Sequence, residues 1–198
     1  MIPNDSKLEL RATLRAQRRA LSAADQKRAA AALAARVVAT RWFRVSRRIA
    51  AYIANDGEID PREVIERIWH TRKHAYLPVL SPLRHDRLWF ARVEPGMEYQ
   101  ANRFGIPEPM VKRSALVRAE ELDLILLPLV AFDATGNRVG MGGGFYDRSL
   151  AFLRHRRYLH KPHVVGLAHD FQRVQRVTPD SWDVPLAGIV TDAASYVL

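Results

Sequence analysis

The feature that most constrains the fold is an apolar run at residues 123–132 that leads, through a short turn, into a glycine-rich loop. The loop and the residues that follow it read Gly140-Met141-Gly142-Gly143-Gly144-Phe145-Tyr146-Asp147-Arg148. A short, continuous apolar run is typical of a strand buried on both faces, as in a parallel sheet. Glycines between such a strand and a helix let backbone N–H groups approach an anion closely. The segment therefore predicts a phosphate-binding loop.

Neither of the two common glycine motifs fits this loop. No Gly-Lys-Ser/Thr ends it, and a Gly-x-Gly-x-x-Gly pattern counted from Gly140 would place Phe145 where the last glycine belongs. A flexible surface loop is the alternative interpretation, because glycine often separates elements. Asp147 falls in the first predicted helical turn, where a carboxylate either caps N–H groups or reaches a Mg²⁺ that bridges phosphates.

Helical and strand patterns alternate along the chain. Ser6 and Ser22 are placed to cap two consecutive helices, 7–21 and 22–42, which we interpret as an N-terminal helical hairpin. Further helices are predicted at 60–71 and 145–156, and strands at 48–54, 74–80, 87–93, 123–127, 130–133, 138–139, 163–168 and 188–191. Pro128 should end its strand. The alternation predicts an α/β fold, a three-layer α/β/α sandwich with a mainly parallel sheet.

In such sheets, ligands bind outside the carboxyl ends of the strands, so the loop after the first strand should meet the glycine loop at one crevice. That first loop reads Asn55-Asp56-Gly57-Glu58-Ile59-Asp60. Glu58 is the candidate for a polar contact with a ligand. The alternative is an exposed carboxylate that only favours the dipole of the next helix.

The charge balance favours anionic partners. The chain has 31 Lys and Arg against 21 Asp and Glu, a net charge of +10. Much of the excess lies in three groups: Lys7, Arg11, Arg15, Arg18, Arg19; Arg41, Arg44, Arg47, Arg48; and Arg154, Arg156, Arg157, Lys161. A basic RNA- or ribosome-associated binding protein is one interpretation, and a solvated arginine-rich surface without an RNA-binding signature is the other.

Composition also bears on the compartment. The sequence has no cysteine, which excludes disulfides and cysteine-ligated metals and permits a reducing cytosol. No apolar stretch approaches the length needed to span a bilayer. We therefore expect a soluble, cytoplasmic protein that does not enter membranes.

Six short motifs occur in a specific order along nearly the whole chain. They are Lys7-x-x-x-Arg11, Gly57-Glu58-Ile59-Asp60, Phe104-Gly105-Ile106-Pro107-Glu108-Pro109, Asp123-Leu124-Ile125-Leu126-Leu127-Pro128, the stretch from Gly136 to Arg148, and Trp182-Asp183-Val184-Pro185 with Thr191. Each motif alone is a weak signal, but their order is specific. Together they resemble the 5-formyltetrahydrofolate cyclo-ligase family, also called methenyltetrahydrofolate synthetases. The resemblance implies one cyclo-ligase domain over residues 1–198, with residues 1–42 packed on it.

The resemblance implies ATP- and Mg²⁺-dependent closure of 5-formyltetrahydrofolate to 5,10-methenyltetrahydrofolate, with release of ADP and phosphate. The resemblance also implies the route: the formyl oxygen is phosphorylated, after which N10 attacks the activated carbon. No enzyme nucleophile is required, so the side chains position two ligands and neutralise charge on the phosphoryl group. The implied partners are ATP and a folate that carries one or several glutamates, with no nucleic acid and a monomeric chain. A protein that keeps the fold for another anionic metabolite is a third interpretation.

Site residues follow from the same resemblance. The ATP-binding positions are Lys7, Arg11, Arg138, Gly140, Met141, Gly142, Gly143, Gly144, Phe145 and Tyr146. The substrate-binding positions are Ile53, Glu58, Phe104, Met141, Gly142, Gly143, Gly144 and Phe145. Asp147 and Asp183 match the Mg²⁺ positions, and Lys7, Glu58 and Arg148 are the catalytic candidates. Phe104 either stacks on the pterin or anchors the core, and Arg148 either meets phosphate or pairs with Asp147 or a neighbouring helix. Some family members carry lysine where this chain has Gly143, which places more phosphate neutralisation on Lys7 and Arg11.

Overall fold

The computed structural model describes residues 4–84, 86–155 and 161–198. The helices are α1 (Asn4–Ala20), α2 (Ala23–Ala39), α3 (Arg41–Val45), α4 (Arg62–Trp69) and α5 (Phe145–Leu150). The strands are β1 (Arg48–Ala50), β2 (His74–Leu80), β3 (Leu88–Val93), β4 (Tyr99–Ala101), β5 (Pro107–Pro109), β6 (Leu116–Val117), β7 (Leu124–Pro128), β8 (Ala131–Phe132), β9 (Arg138–Val139), β10 (His163–Ala168), β11 (Gly188–Thr191) and β12 (Ser195–Val197). Short 3₁₀ helices lie at Arg113–Ala115, Ala119–Glu121, Ala151–His155 and Asp170–Gln172.

Eight strands form one sheet in the order β12-β11-β10-β7-β1-β2-β3-β6. The five strands from β11 to β2 in this order are parallel to one another. The strands β12, β3 and β6 are antiparallel to their neighbours and form the two edges. The predicted α/β fold with a mainly parallel sheet is confirmed.

The central strand β7 shows how the sheet separates two helical layers. Leu124 and Leu126 are buried in the cluster that includes α2 and α4, whereas Ile125 and Leu127 are buried in the cluster that includes α5. Successive side chains of a strand point to opposite faces, so a run of four apolar residues is what a strand covered on both sides requires. Pro128 ends β7, as expected.

The two N-terminal helices pack on different elements. Leu14 of α1 packs with Val130, Ala131 and Val139, around the β8–β9 hairpin that leads to the glycine loop. By contrast, α2 packs on α4 and β11. The basic face of α1 thereby lies at the carboxyl ends of the parallel strands.

Several predicted boundaries differ from the structure. α1 begins at Asn4, two residues before the predicted cap Ser6. α2 ends at Ala39 rather than at residue 42, because Thr40 is extended and its hydroxyl accepts a hydrogen bond from the Phe43 N–H at 3.2 Å, which starts α3. β1 ends at Ala50, four residues early. The predicted helix 145–156 becomes 3₁₀ after Leu150; its last residue, Arg156, and the basic Arg157 lie outside the described residues. In the described parts of the chain, no helix is both long and apolar enough to cross a membrane.

Gly188 of β11 gives a direct test of this packing. A Cβ added there would lie 2.2 Å from the Trp42 ring and 2.5 Å from the Tyr196 carbonyl oxygen. We expect Gly188→Ala to lower the free energy of unfolding by about 2–3 kcal/mol, because strand backbone and a ring would have to move. Urea denaturation measures the effect. Gly140→Ala is the matched control, since nothing lies within 4 Å of a Cβ at that position; equal midpoints for the two variants would contradict the packing.

Candidate active site

The carboxyl ends of β1, β2 and β7 open onto a cavity of about 610 Å³. This volume falls in the range of small-molecule sites. The predicted site residues that line it are Lys7, Arg11, Ile53, Glu58, Phe104, Arg138, Gly140, Met141, Gly142, Gly143, Gly144, Phe145, Tyr146, Asp147 and Asp183. The segments that supply them are far apart in the sequence. They meet because the parallel strands all end on the same side of the sheet.

The glycine loop forms one wall of the cavity. Gly142 and Gly144 have positive φ values of +97° and +63°, a region that side chains disfavour. A Cβ added at Gly140 or Gly142 would meet no atom within 4 Å. The loop therefore leaves open space beside its backbone, which is the condition for close approach of a ligand.

Helix α1 supplies the cations next to this loop. The Arg11 guanidinium donates through Nε to the Gly140 carbonyl oxygen at 2.9 Å. Lys7 is only 8% exposed, and its Nζ lies 2.9 Å from an Asp180 carboxylate oxygen. The i, i+4 spacing of the two residues places both on the helix face toward the cavity.

Two carboxylates, Asp147 and Asp183, also line the cavity. Asp147 accepts a hydrogen bond from Arg138, which also donates to the Val184 carbonyl oxygen. Burial raises the pKa of Asp183, and the nearby charges of Asp147 and Asp180 raise it further, although its hydrogen bond from the Asp180 N–H opposes the shift. A cation that binds between neighbouring carboxylates stabilises their ionised forms, because it offsets their mutual repulsion.

These carboxylates fit a partly hydrated magnesium ion. Mg²⁺ prefers oxygen ligands and is commonly held by one or two carboxylates together with water and substrate phosphates. Among the described residues, no group of three or more His, Asp or Glu side chains could hold a metal by itself. Asp147 and Asp183 would therefore hold the ion only together with phosphate or water oxygens. Asp180 was missed by the sequence analysis, because only its pairing with Lys7 reveals it.

Glu58 also lines the cavity, in the loop after β1. Its Oε2 accepts a hydrogen bond from the Asn55 N–H at 3.1 Å. Burial raises the pKa of Glu58 to about 7, and the hydrogen bond from Asn55 only partly offsets this. The charge of Glu58 acts on the buried Tyr52 and the half-buried Tyr146. Desolvation raises the pKa of each hydroxyl, and Glu58 raises both further. A carboxylate poised near neutral pH suits proton transfer.

An apolar rim borders the mouth of the cavity. Phe104, at the tip of the β4–β5 hairpin, is 52% exposed and packs edge-to-face on Phe145 with ring centroids 5.7 Å apart. Met141 and Trp182 are also largely exposed and line the same cavity. Exposed rings at a cavity mouth can pack on a flat heteroaromatic ligand. Phe104 is not a core residue.

The structure does not bring Arg148 into this lining. Its Nε lies 3.1 Å from an Asp86 carboxylate oxygen, and its Nη2 donates to the Gly143 carbonyl oxygen at 2.5 Å. The guanidinium also lies over the Phe145 ring. These contacts support the glycine loop from outside, and the catalytic role of Arg148 stays a prediction.

Fold and cavity together define an α/β protein with a ligand site at the carboxyl edge of a mainly parallel sheet, built from a glycine loop, helix-borne cations and paired carboxylates. A family model described as "5-formyltetrahydrofolate cyclo-ligase family" matches residues 3–192. The chain belongs to the 5-formyltetrahydrofolate cyclo-ligase family.

Known relatives agree with this assignment. The 5-formyltetrahydrofolate cyclo-ligase of Escherichia coli K12 is 38% identical over 178 residues, which cover 90% of this chain and 96% of the relative. The protein of the same name from Haemophilus influenzae is 37% identical over 182 residues, covering 92% and 95%. The NMR structure of Aquifex aeolicus 5,10-methenyltetrahydrofolate synthetase superimposes with a TM-score of 0.80 at 30% identity, covering 97% of this chain and 92% of the other. The resemblance stated from the motifs is confirmed.

Proposed function

We propose that this protein is a ligase that closes 5-formyltetrahydrofolate to 5,10-methenyltetrahydrofolate and consumes ATP in the presence of Mg²⁺. The observation that carries the proposal is that a single cavity is lined by the glycine loop, by the α1 cations Lys7 and Arg11, and by Glu58. Membership of the family and the names of the relatives support the folate substrate. ATP and Mg²⁺ are supported by the open glycine loop and the paired carboxylates.

The chemistry needs a phosphoryl donor because a formamide oxygen is a poor leaving group. The γ-phosphoryl group leaves ADP and bonds to the formyl oxygen. N10 then bonds to the formyl carbon, the carbon–oxygen bond breaks, and inorganic phosphate departs. The proton on N10 is lost as the ring closes, and we assign it to the Glu58 carboxylate. Catalysis in this scheme consists of positioning, charge neutralisation and one proton transfer.

Residues of the nucleotide side follow from their places in the cavity. Lys7 offers a nearly buried ammonium group to the phosphates, and Arg11 fixes the start of the glycine loop through Gly140. Asp147 and Asp183 would hold Mg²⁺, which supplies charge neutralisation to the phosphates when bound. The exposed rings at the mouth, Phe104 above all, would border the pterin.

The basic residues of α1 bear on the alternative of RNA binding. All of them contact other parts of the chain: Lys7 with Asp180, Arg11 with Gly140, and Arg15, Arg18 and Arg19 with Asp56. This arrangement favours the cavity over an RNA surface as the destination of the charge. The net charge of +10 also suits a folate with several glutamates. A cytoplasmic monomer remains part of the proposal, and size-exclusion chromatography tests its monomeric state.

The experiment that tests the proposal is single-turnover formation of methenyltetrahydrofolate, followed by its ultraviolet absorbance. We expect product only when 5-formyltetrahydrofolate, ATP and Mg²⁺ are all present. Asp147→Asn should need at least about tenfold more Mg²⁺ for half-maximal rate, because one carboxylate ligand is lost. Asp25→Asn, which removes a carboxylate on α2 remote from the cavity, is the control.

Two results would point elsewhere. If folded protein binds MgATP and makes no methenyltetrahydrofolate, the site serves another anionic metabolite. If the protein binds no ATP and instead binds RNA with a steep dependence on salt, the basic binding module is correct.

A further inference from the structure

Arg18 is a buried cation that touches three of the segments from which the cavity is built. Its side chain is wholly inaccessible to solvent. Nη2 lies 3.0 Å from an Asp56 carboxylate oxygen, Nη1 donates to the Leu129 carbonyl oxygen at 3.3 Å, and Nη2 also approaches the Met141 sulfur at 3.8 Å. These partners belong to the loop after β1, the end of β7 and the glycine loop. Neither the motifs nor the family resemblance singled out Arg18.

Asp56 is the anionic partner, and it serves three arginines of α1 at once. Its carboxylate accepts from Arg15 at 2.6 Å, from Arg18 at 3.0 Å and from Arg19 at 3.0 Å. Burial raises the pKa of Asp56, but the hydrogen bonds and charges of Arg15 and Arg18 lower it more, so the carboxyl stays ionised. Asp56 has a φ of +52°, a left-handed backbone conformation that costs energy for residues other than glycine. With this backbone conformation, the carboxylate faces α1.

The backbone of the same loop is docked on the end of α1. A Cβ at Gly57 would lie 2.8 Å from the carbonyl carbon of Arg18, and Gly57 has a φ of +74°. Gln26 Nε2 bridges the two segments, donating to the carbonyl oxygens of Arg18 at 3.3 Å and Gly57 at 3.2 Å. The loop that carries Glu58 and the helix that carries Lys7 therefore meet at backbone contact.

The energetics argue that the Arg18–Asp56 contact serves geometry more than stability. Buried ion pairs gain little over apolar packing of the same volume, because both ions lose their water. Arg18 Nε is also buried without a hydrogen-bond partner among the described residues, which adds to the cost. What the contact supplies is a fixed position of α1 against the loop after β1.

We propose that Arg18 and Asp56 are a positioning pair that holds Lys7 and Arg11 of α1 in a fixed position relative to Glu58 in the same cavity. The inference rests on the proposed function, because it takes Lys7 to serve the nucleotide and Glu58 to serve the folate. It goes further in that two residues outside the family motifs couple the two halves of the site.

The test compares Asp56 with Asp123. Each carboxylate accepts hydrogen bonds from basic residues, Asp56 at the carboxyl ends of the strands and Asp123 at their amino ends. Asp56→Asn should raise KM for MgATP and for 5-formyltetrahydrofolate together, each by about tenfold, because a small displacement spoils both halves. Asp123→Asn is the matched control: Asp123 accepts from the Arg47 and Arg48 N–H groups and from Lys161, at the amino edge. It should lower stability and leave both KM values unchanged. The inference fails if Asp56→Asn changes one KM only, or neither.

A second readout separates positioning from general loosening. The charged groups that face Glu58 are Arg15 and Arg18 of α1 and Asp56 of its own loop, and the hydroxyls of Tyr52 and Tyr146 lie near it. Arg18→Gln removes a positive charge, so the pKa of Glu58 should rise in carboxyl ¹³C NMR titration. A site that merely loosened would admit water and lower it, and a lowered pKa would overturn the inference.

The two proposals can fail separately. If the wild-type protein makes no methenyltetrahydrofolate, the proposed function fails. The positioning pair is then judged by the Glu58 titration and by calorimetry of MgATP binding, in which Asp56→Asn should weaken affinity about tenfold and Asp123→Asn should not. Equal MgATP affinities in the two variants would overturn the pair.

Discussion

Replacing Glu58 by glutamine is expected to lower kcat about 10³-fold and to leave MgATP affinity nearly unchanged. Glutamine has the same shape and still accepts the hydrogen bond from the Asn55 N–H, so the loop keeps its conformation. It cannot accept the proton that N10 loses as the ring closes. Methenyl absorbance gives kcat, and calorimetry gives the MgATP affinity. A parallel loss of MgATP affinity would mean that the variant disturbs the fold of the site instead.

The pH dependence of kcat gives the same residue a second signature. Burial raises the pKa of Glu58 to about 7, so the ionised, proton-accepting form develops as pH rises through neutrality. We expect wild-type kcat to rise with pH and to reach half its maximum near pH 7. Glu58→Gln should show a low, flat profile over the same range. A wild-type profile that falls with pH would assign the active form to the protonated acid.

Stability should respond to pH in the opposite sense. The pKa of Glu58 is higher in the folded chain than its ordinary value of 4.5. The folded state therefore favours the protonated form of Glu58. Its contribution to the free energy of unfolding is fully present below about pH 4.5 and is lost as pH rises through 7. At pH 8, the free energy of unfolding measured with urea should be about 2–3 kcal/mol higher for Glu58→Gln than for wild type. Glu66→Gln, at an exposed site on α4, should show no such gain.

The parts of the fold that could be predicted from the sequence are those fixed by local periodicity. Four strands, β2, β9, β10 and β11, have the predicted bounds. The three longer ones, β2, β10 and β11, are apolar segments of strand-favouring residues between polar turns. The strands β4, β5, β6 and β12 were missed. Each has only two or three residues, so its existence depends on the neighbour that it pairs with rather than on any pattern of its own.

The site divides in the same way. Motifs located the glycine loop, Lys7, Arg11 and Glu58 in the sequence, and all of them line one cavity. Asp180 could not be found, because its partner Lys7 lies 173 residues away. In the sequence, Asp56 is one residue of the loop after the first predicted strand, and only the packing of α1 gives its carboxylate three arginine partners. Long-range ion pairs leave no local signature in a single sequence.

The second large effect is expected at Lys7, where alanine should lower kcat/KM for ATP by about 10²- to 10³-fold. The ammonium group is nearly buried beside a loop of glycines that carry no charge of their own, and Gly143 adds none where the phosphates would lie. In this structure Lys7 Nζ pairs with Asp180, and Arg11 donates through Nε to the Gly140 carbonyl oxygen. Removing Lys7 therefore leaves the transferred phosphoryl group with one fewer cation in a partly desolvated site, where charge is least screened. Steady-state rates at varied MgATP, with saturating 5-formyltetrahydrofolate, give the value.

Lys27→Ala is the matched control for Lys7→Ala, since Lys27 is exposed on α2 and its loss lowers the net charge by the same single unit. If the positive charge of the chain acted only as a diffuse attraction for polyanions, the two variants would lose equally, and added salt would remove the difference from wild type. A specific phosphate contact predicts a loss at Lys7 that persists at about 0.5 M salt, because a buried pair is screened far less than a surface one. Equal effects of the two substitutions would therefore count against Lys7 as a phosphate ligand, and would return weight to the basic surface as the functional feature of α1.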